Sequence, residues 1–496
     1  MEPVLLSLDI GTSGARASAF TQFGRLVTDV RVGYETDHPR PGWAEQSADD
    51  WRHAAHQALA SLSRQLDNGY HLAGMAVTGH SPTYLPVDAG LQPLGPALTY
   101  QDNRAVAEAE ELTQRYGEDA FHARYGHSPE AHFVLPKVMW HQRHDPALFE
   151  RLHRVLQPTD FIVLWLTGEL ATSTSHACGT LAFDQTTGRW DEALLAAAGL
   201  KPGLFPLRVL NPWEVAGNLR GDVADSTGLP AGMPVVIGAP DSQACCLGVG
   251  ATMPQILSNM SGSSTCLNST VTAMVADVRV GNYMHAVPGR WTTEVGLNTT
   301  GESLTWLGNI LLSHTPPQQR YEIVDEMAAK SPIGANGVVF LPYLSDGERD
   351  NHLIKGGFHN LSIGTDGADL VRAVMEGVAY AERKRIQILM DAGCPLQQMY
   401  ISGGGARLDQ WNQLKADVTG MPVRATVGVD AAELGTAMLA GIGAGLYDGT
   451  DDAVECCRTK VKEFTPDHSR ALQYEEGFRS FVALERALET TESYPD

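Results

Sequence analysis

Apolar positions run from Val4 to Leu8, interrupted only by Ser7, and the run stops at a carboxylate, Asp9. After Gly11, Thr12, Ser13 and Gly14 a second apolar run extends from Ala15 to Phe20, with Arg16 near its start. Two such runs around a glycine-bearing turn predict a β-hairpin, because glycine permits the tight backbone path. The period then changes. SADDWRHAAHQALASLSRQL puts Trp51, Ala55, Ala58, Leu59, Leu62 and Leu66 on one helical face, with Ser47 as cap and Asp50 in the capping-box position. A strand, LAGMAVTG, follows, and then HSPTYLPVDAGLQPLGP, whose prolines and glycines mark an excursion.

The later segments repeat these signals. MPVVIGA reads as a strand entering PDSQACCLGVGA, and QILSNMSGSSTCLNST imitates the opening hairpin, with Gly262, Ser263 and Ser264 at its turn. MYISGGGARLDQWNQLKADVTGMPV is a strand, a glycine run and an amphipathic helix using Leu408, Trp411, Leu414 and Val418. AAELGTAMLAGIGAGLYDG is a small-residue helix suited to close packing, and its Gly441, Gly443 and Gly445 read as packing residues. Alternating strands and helices predict an α/β chain. At 496 residues the chain exceeds one hydrophobic core. Two domains, 1–246 and 247–496, are therefore expected, with GVGATMP at the boundary.

Composition narrows the partners. A net charge of −22, from 36 basic and 58 acidic side chains, argues against nucleic acid or an anionic membrane surface. No apolar stretch approaches a membrane span, and MEPVLLSLDIG lacks the form of a signal peptide. Seven cysteines without C-x-x-C spacing point to reduced thiols, so a cytoplasmic protein is expected. His53 with His56, and the trio His122, His127 and His132, fit no metal template.

Three places offer chemistry. The turn at Gly11–Gly14 exposes backbone N–H groups and two hydroxyls to one point, which suits a phosphate, and Arg16 can add a charged donor. Asp9 beside a phosphate is favourable only with a cation such as Mg²⁺ between them. The bland alternative is a plain hairpin with an Asx-turn. Asp241 follows a strand and opens a helix, a place for a general base or for a simple N-cap. The Gly403–Gly405 run lets a flat ligand pack on backbone, or merely avoids clashes in a tight turn.

In this order DIGTSGARASAF, SNMSGSSTCLN, GLNTTGESLTWL, FLPYLSDGER and ISGGGARLDQWNQLKADVTGMPV resemble the FGGY family of carbohydrate kinases over nearly the whole chain. The resemblance implies two actin-like (ribonuclease H-like) domains flanking a deep cleft, with ATP and Mg²⁺ as cosubstrates. It implies that Asp9 organises Mg²⁺, and that Gly11, Thr12, Ser13 and Arg16 face phosphate, as do Gly262, Ser263 and Ser264. Gly301, Gly404, Gly405 and Ala406 fall on the nucleotide side, and FLPYLSDGER carries Asp346 as an apparent extra residue. Asp241 takes the place of the catalytic base, with Ser242 beside it. No G-x-x-x-x-G-K-[ST] occurs, so this is not a P-loop enzyme, and the resemblance implies phosphate binding by paired hairpins.

Acceptor recognition departs from the pattern. Gly79, His80, Ser81 and Pro82 stand where several ketopentose and aldonate kinases of the family carry Gly-Gln-Met-His. TYQDNRA stands where the family has W-x-D-x-R, which leaves Asp102 and Arg104 as acceptor or structural contacts. The expected activity is ATP-dependent phosphorylation of a sugar or polyol hydroxyl, a ketopentose such as D-xylulose first, with ribulose, gluconate and erythritol-like polyols behind. A non-catalytic ATP-gated sugar-binding protein is the competing class, and the presence of both Asp9 and Asp241 argues against it. A homodimer is compatible with the sequence. An NAD-linked oxidoreductase would need G-x-G-x-x-G where the first turn reads G-T-S-G.

Overall fold

The computed structural model describes residues 1–66, 69–345 and 354–489. Asp346 to Arg349 of the FLPYLSDGER segment lie outside the described residues. The chain divides into two compact units. The first comprises Met1–Thr252, Val271–Thr293 and Val429–Thr459; the second comprises Met253–Thr270, Glu294–Gly428 and Lys460–Asp496. Where the sequence suggests one cut at 246/247, the chain instead returns twice to the first unit. The reason for the second return is the small-residue helix Ala431–Gly443, whose apolar face is buried with Leu5, Phe20 and Val236.

In the first unit β1 (Glu2–Gly11), β2 (Gly14–Thr21) and β3 (Leu26–Gly33) form an antiparallel meander. Helix α1 (Ala48–Gln65) leads to β4 (Tyr70–Gly79), which lies parallel to β1. Helices α2 (Val134–His144) and α3 (Pro158–Thr167) precede β5 (Val215–Asn218) and β6 (Pro234–Val236). β6 runs parallel to β4 and antiparallel to β5, and the sheet order is β5-β6-β4-β1-β2-β3. β1 shows why a nearly continuous apolar run was needed. Val4, Leu6, Leu8 and Ile10 pack with Trp51, Leu59 and Leu62 of α1 and with Ile162 and Leu166 of α3. Leu5 faces the other way, toward Leu434 and Met438. A strand covered on both faces cannot alternate with polar residues.

β6 feeds α4 (Asp241–Gly248), which meets the Ala431–Gly443 helix backbone to backbone. A Cβ on Gly435 would lie 1.8 Å from the Ala244 carbonyl oxygen, and one on Gly248 would lie 1.8 Å from that of Ala431. This close approach is what the small residues serve. Gly441 and Gly443 are closed in by the side chains of Tyr447 and Val236, whereas Gly445, at φ +73° with nothing within 4 Å of an added Cβ, serves the turn after the helix and not the packing the sequence suggests.

The second unit repeats the central topology. β7 (Ile256–Ser261) and β8 (Thr265–Val271) form an antiparallel hairpin. Helices α5 (Gly301–Leu311) and α6 (Gly367–Asp391) follow, and then β9 (Gln398–Ser402) pairs parallel with β7. Helix α7 (Asp409–Thr419) connects to β10 (Val423–Thr426), parallel to β9, and β11 (Val461–Phe464) closes antiparallel to β10. The neighbour sequence β8-β7-β9-β10 thus matches β2-β1-β4-β6 strand for strand. Leu408, Trp411, Leu414 and Val418 are all buried, as the periodicity requires. No helix among the described residues is long and apolar enough to cross a membrane.

Candidate functional site

The parallel order β6-β4-β1 brings three strand ends side by side. The His80 N–H donates to the Ile10 carbonyl at 3.1 Å, Gly79 forms a parallel bridge with Pro240, and the Thr78 hydroxyl donates to the Ala239 carbonyl at 2.7 Å. Asp9, His80 and Asp241 are therefore delivered to one edge of one sheet, the carboxyl edge at which open α/β sheets bind ligands. Gly238 makes the exit from β6 feasible: its φ is +74°, and a Cβ there would lie 1.8 Å from the Val77 carbonyl oxygen.

Thr12 and Ser13 form the two-residue turn between β1 and β2, and neighbours hold it from behind. The Gly11 carbonyl accepts from the Tyr34 hydroxyl, and the Thr12 carbonyl accepts from Gln46 Nε2 at 2.7 Å. The Ser13 hydroxyl oxygen accepts from Arg31 Nη2 at 2.6 Å. A Cβ on Gly14 would come within 2.6 Å of the Val32 carbonyl oxygen, so β3 backs the turn directly. These bonds fix the turn in place from its carbonyl side.

Asp9 is the unbalanced group. Its Oδ1 is buried without a hydrogen-bond partner. Burial raises its pKa well above the carboxylate range, and Asp241, Glu433 and Asp430 push it further, with Arg16 opposing. A carboxylate so placed calls for a cation. No cluster of three His, Cys, Asp or Glu able to hold a metal exists among the described residues. One buried, unpartnered carboxylate oxygen fits a single protein ligand of a hard cation that keeps most of its waters.

Arg16 differs from the free donor expected from the sequence. Its Nε meets Asp29 at 3.0 Å, and its Nη1 meets Asp430 at 3.3 Å and Glu433 at 2.7 Å. Glu433, pushed up to about 7 by burial and by Asp430, is also held by the Ser18 hydroxyl. Asp241 differs too. The N-cap of α4 is Pro240, and no side chain caps that helix end. Asp241 occupies the first helical position, and its Oδ1 accepts from the Ser242 N–H at 2.7 Å. Ser242 itself is buried.

His80 is buried, its Nδ1 bonded to the Thr83 hydroxyl at 2.9 Å and its Nε2 without a partner among the described residues. Burial, aided by the Lys137 charge, pushes its pKa down to about 3, so the ring is neutral. Ser81 donates to Gln157 Oε1 at 2.7 Å. Asp102 and Arg104 turn inward. Asp102 accepts from the Ala44 N–H at 2.8 Å and from Arg104 at 2.7 Å, while Arg104 also pairs with Glu45 and lies 3.6 Å from the centroid of the Trp43 ring. They fasten the loop. Lys137 on α2, which the sequence reading passed over, donates from Nζ to the carbonyls of Thr99 and His132, each at 2.6 Å. Burial lowers it to about 7. Its signal was a lone lysine inside the apolar run FVLPKVMW.

Burial sets an acid limit on the first unit. His80, His176 and His285 are each pushed down to about 3, and His141 to about 4, all chiefly by desolvation. The unfolded chain protonates these rings near 6.5 while the folded chain does not, so stability falls as pH drops below 6.5. Each group contributes a slope of about 1.4 kcal/mol per pH unit. Thermal midpoints measured from pH 7.5 to 5 should decline below 6.5; a flat profile would contradict the burial of these rings.

In the second unit the Gly262–Ser264 turn joins β7 to β8 and is exposed. The Ser263 carbonyl accepts from the N–H groups of Thr300 and Glu302, both at 3.0 Å, and a Cβ on Gly301 would lie 2.2 Å from the Gly262 carbonyl oxygen. Gly403 and Gly405 press on Ser261, where a Cβ would lie 2.6 Å from its carbonyl and 2.2 Å from its hydroxyl oxygen respectively. Gly404 faces open space, and the Ala406 carbonyl accepts from Asn412 Nδ2 at 3.0 Å. Gly262, Ser263, Ser264, Gly301, Gly404, Gly405 and Ala406 thus gather around the end of β7. Beneath them Lys415 and Glu382 form a buried pair at 2.8 Å, and Lys415 Nζ reaches the Ser261 hydroxyl at 3.3 Å.

Comparison with known proteins bears on this arrangement. Residues 4–248 match the N-terminal domain, and residues 257–444 the C-terminal domain, of the FGGY family of carbohydrate kinases. Xylulose kinase of Escherichia coli strain K12 is 31% identical over 447 residues, covering 88% of this chain and 90% of that protein. Autoinducer-2 kinase of Salmonella typhimurium is 28% identical over 510 residues, covering 98% and 95%. The crystal structure of xylulose kinase from Rhodospirillum rubrum superposes with a TM-score of 0.89 at 31% identity, covering 98% of this chain and 99% of that one.

Proposed function

Because the chain belongs to the FGGY family of carbohydrate kinases, and so is a sugar kinase, we propose that it transfers the γ-phosphate of ATP to a hydroxyl of a ketopentose, D-xylulose first among them. The observation that carries the reading is the shared sheet edge holding Asp9, His80 and Asp241 beside the Thr12–Ser13 turn. In this reading the Asp241 carboxylate accepts the proton of the acceptor hydroxyl and orients that oxygen for in-line attack. The turn N–H groups and hydroxyls bind the transferred phosphate. Gly262, Ser263, Ser264, Gly301, Gly404, Gly405 and Ala406 hold the nucleotide. Asp9 would hold hydrated Mg²⁺, which when bound neutralises phosphate charge. Arg16, set within its carboxylate cage, tunes the field at Asp9 from the neighbouring strand.

The relatives named xylulose kinase support the ketopentose, and the autoinducer-2 kinase at similar identity marks how far acceptors vary around one scaffold. A coupled ADP-release screen with Mg²⁺ over D-xylulose, ribulose, gluconate and erythritol tests the proposal. D-Xylulose should give the highest turnover. A different preferred acceptor would replace the ketopentose, and a chain that binds ATP but releases no ADP with any acceptor would be a non-catalytic binding protein.

His80 is proposed to select the acceptor. Its partnerless Nε2 is a buried polar atom that a sugar hydroxyl can satisfy, and a site built for such a bond discriminates against ligands lacking it. His80→Ala should alter relative kcat/KM among the acceptors by about tenfold, the worth of one well-made hydrogen bond. The KM for ATP should hardly move. A uniform loss across all acceptors would make the residue structural.

A further inference from the structure

Tyr100 links the two ends of the site in a way neither hairpin geometry nor the acceptor loop explains. Its hydroxyl lies 3.2 Å from Thr12 Oγ1, and its ring lies 6.1 Å from that of His80, tilted by 53°. Each end of this bridge is fixed independently. The Thr99 carbonyl is held by Lys137 Nζ at 2.6 Å and by the Asp102 N–H at 3.0 Å, which anchors Tyr100 from its neighbour. The Thr12 backbone is tied by Gln46. The scaffold, not the bond itself, sets the spacing. In the segment that resembles W-x-D-x-R, Tyr100 stands at the Trp position, and an indole has no hydroxyl to offer.

We propose that Tyr100 is a positioning residue that donates its phenolic proton to Thr12 Oγ1 and so frees the Thr12 proton for the phosphate. A hydroxyl has one proton to give and two lone pairs to receive. Were Thr12 the donor to Tyr100, it would present only lone pairs to an anion, an unfavourable face. With Tyr100 as donor, the Thr12 O–H points outward. Ser13 is arranged the same way by a group that can only donate: Arg31 fills one of its lone pairs, leaving its proton for the ligand. The turn thus offers two outward O–H donors, one set by Arg31 and the other by the residue that packs on His80.

This inference rests on the proposal that the Thr12–Ser13 turn binds the transferred phosphate, and a double-mutant cycle separates the two. Tyr100→Phe, Thr12→Ala, the double variant and Thr12→Ser are assayed with ATP and D-xylulose, or the best acceptor of the screen. Tyr100→Phe should lower kcat about threefold to tenfold, with the acceptor KM and the thermal midpoint unchanged. In the Thr12→Ala background the same change should have no further effect, whereas in Thr12→Ser, which keeps a hydroxyl, the full effect should persist. A Tyr100→Phe enzyme with normal kcat, or losses that simply add, would overturn the bridge while the phosphate turn stands. A Thr12→Ala enzyme with unaltered kinetics would overturn the phosphate turn and the bridge with it.

Discussion

Asp241→Asn should lower kcat by about two to four orders of magnitude, the usual yield of general base catalysis. That range corresponds to about 3–5 kcal/mol of barrier at 1.36 kcal/mol per tenfold. The substitution is well matched to its surroundings. An amide oxygen can still accept the bond from the Ser242 N–H, and α4 takes its cap position from Pro240, so helix stability does not depend on the carboxylate. The thermal midpoint should therefore stay close to that of the unaltered chain. The electrostatic side effect runs the other way. Asp241 is the largest of the charges that raise the Asp9 pKa, so removing it eases Asp9 ionisation. Mg²⁺-dependent ATP binding, measured by calorimetry, should be unchanged or slightly tighter even as turnover collapses. A folded Asp241→Asn enzyme with near-normal kcat on its best acceptor would sink the assignment, and a loss seen only in stability would make Asp241 a helix residue and nothing more.

What the sequence disclosed follows a physical rule. Signals that are local in the chain were legible: the apolar run of β1 and its glycine-bounded turn, the α1 face, and the glycine run between β9 and α7. Each is set by backbone conformation and by burial of one stripe. The partners of those signals were not legible, because they come from far along the chain. Arg16 reads as a spare cation until Asp430 and Glu433 arrive from a helix more than four hundred residues later. Lys137 is a lone lysine in an apolar run, and the carbonyls of Thr99 and His132 that hold it come from outside its own helix. The two returns of the chain to the first unit were not legible for the same reason, since a helix of Ala, Gly and Leu does not announce which backbone it will touch. Asp102 and Arg104 show the converse. Their types suit sugar contacts, and the structure adds loop partners that no local pattern announces, the Trp43 ring beneath Arg104 and the Ala44 N–H on Asp102.

Lys415→Met should cost about 3–5 kcal/mol of stability, the penalty for stripping one partner from a buried ion pair. Both side chains are essentially inaccessible to solvent, at 1% and 0%, so neither can recover hydration once left alone. Glu382 already has one oxygen, Oε2, without a partner, and losing Lys415 would leave its Oε1 with only a 3.4 Å contact from the Thr265 hydroxyl. The midpoint of thermal unfolding should fall by roughly 10 °C. The pair also lies directly under the Gly262–Ser264 turn: Lys415 reaches Ser261 at one end of β7, and Thr265, at the start of β8, bonds Thr300 at 2.8 Å ahead of α5. Loosening it should raise the KM for ATP while the acceptor KM changes little, because the acceptor residues belong to the other unit's sheet edge. The cause can be isolated with Lys415→Met combined with Glu382→Leu. Replacing both partners removes the stranded charge, so much of the lost stability should return, as apolar replacements of buried pairs commonly permit. A Lys415→Met chain as stable as the original would mean that the buried pair supports neither the second unit nor the turn above it.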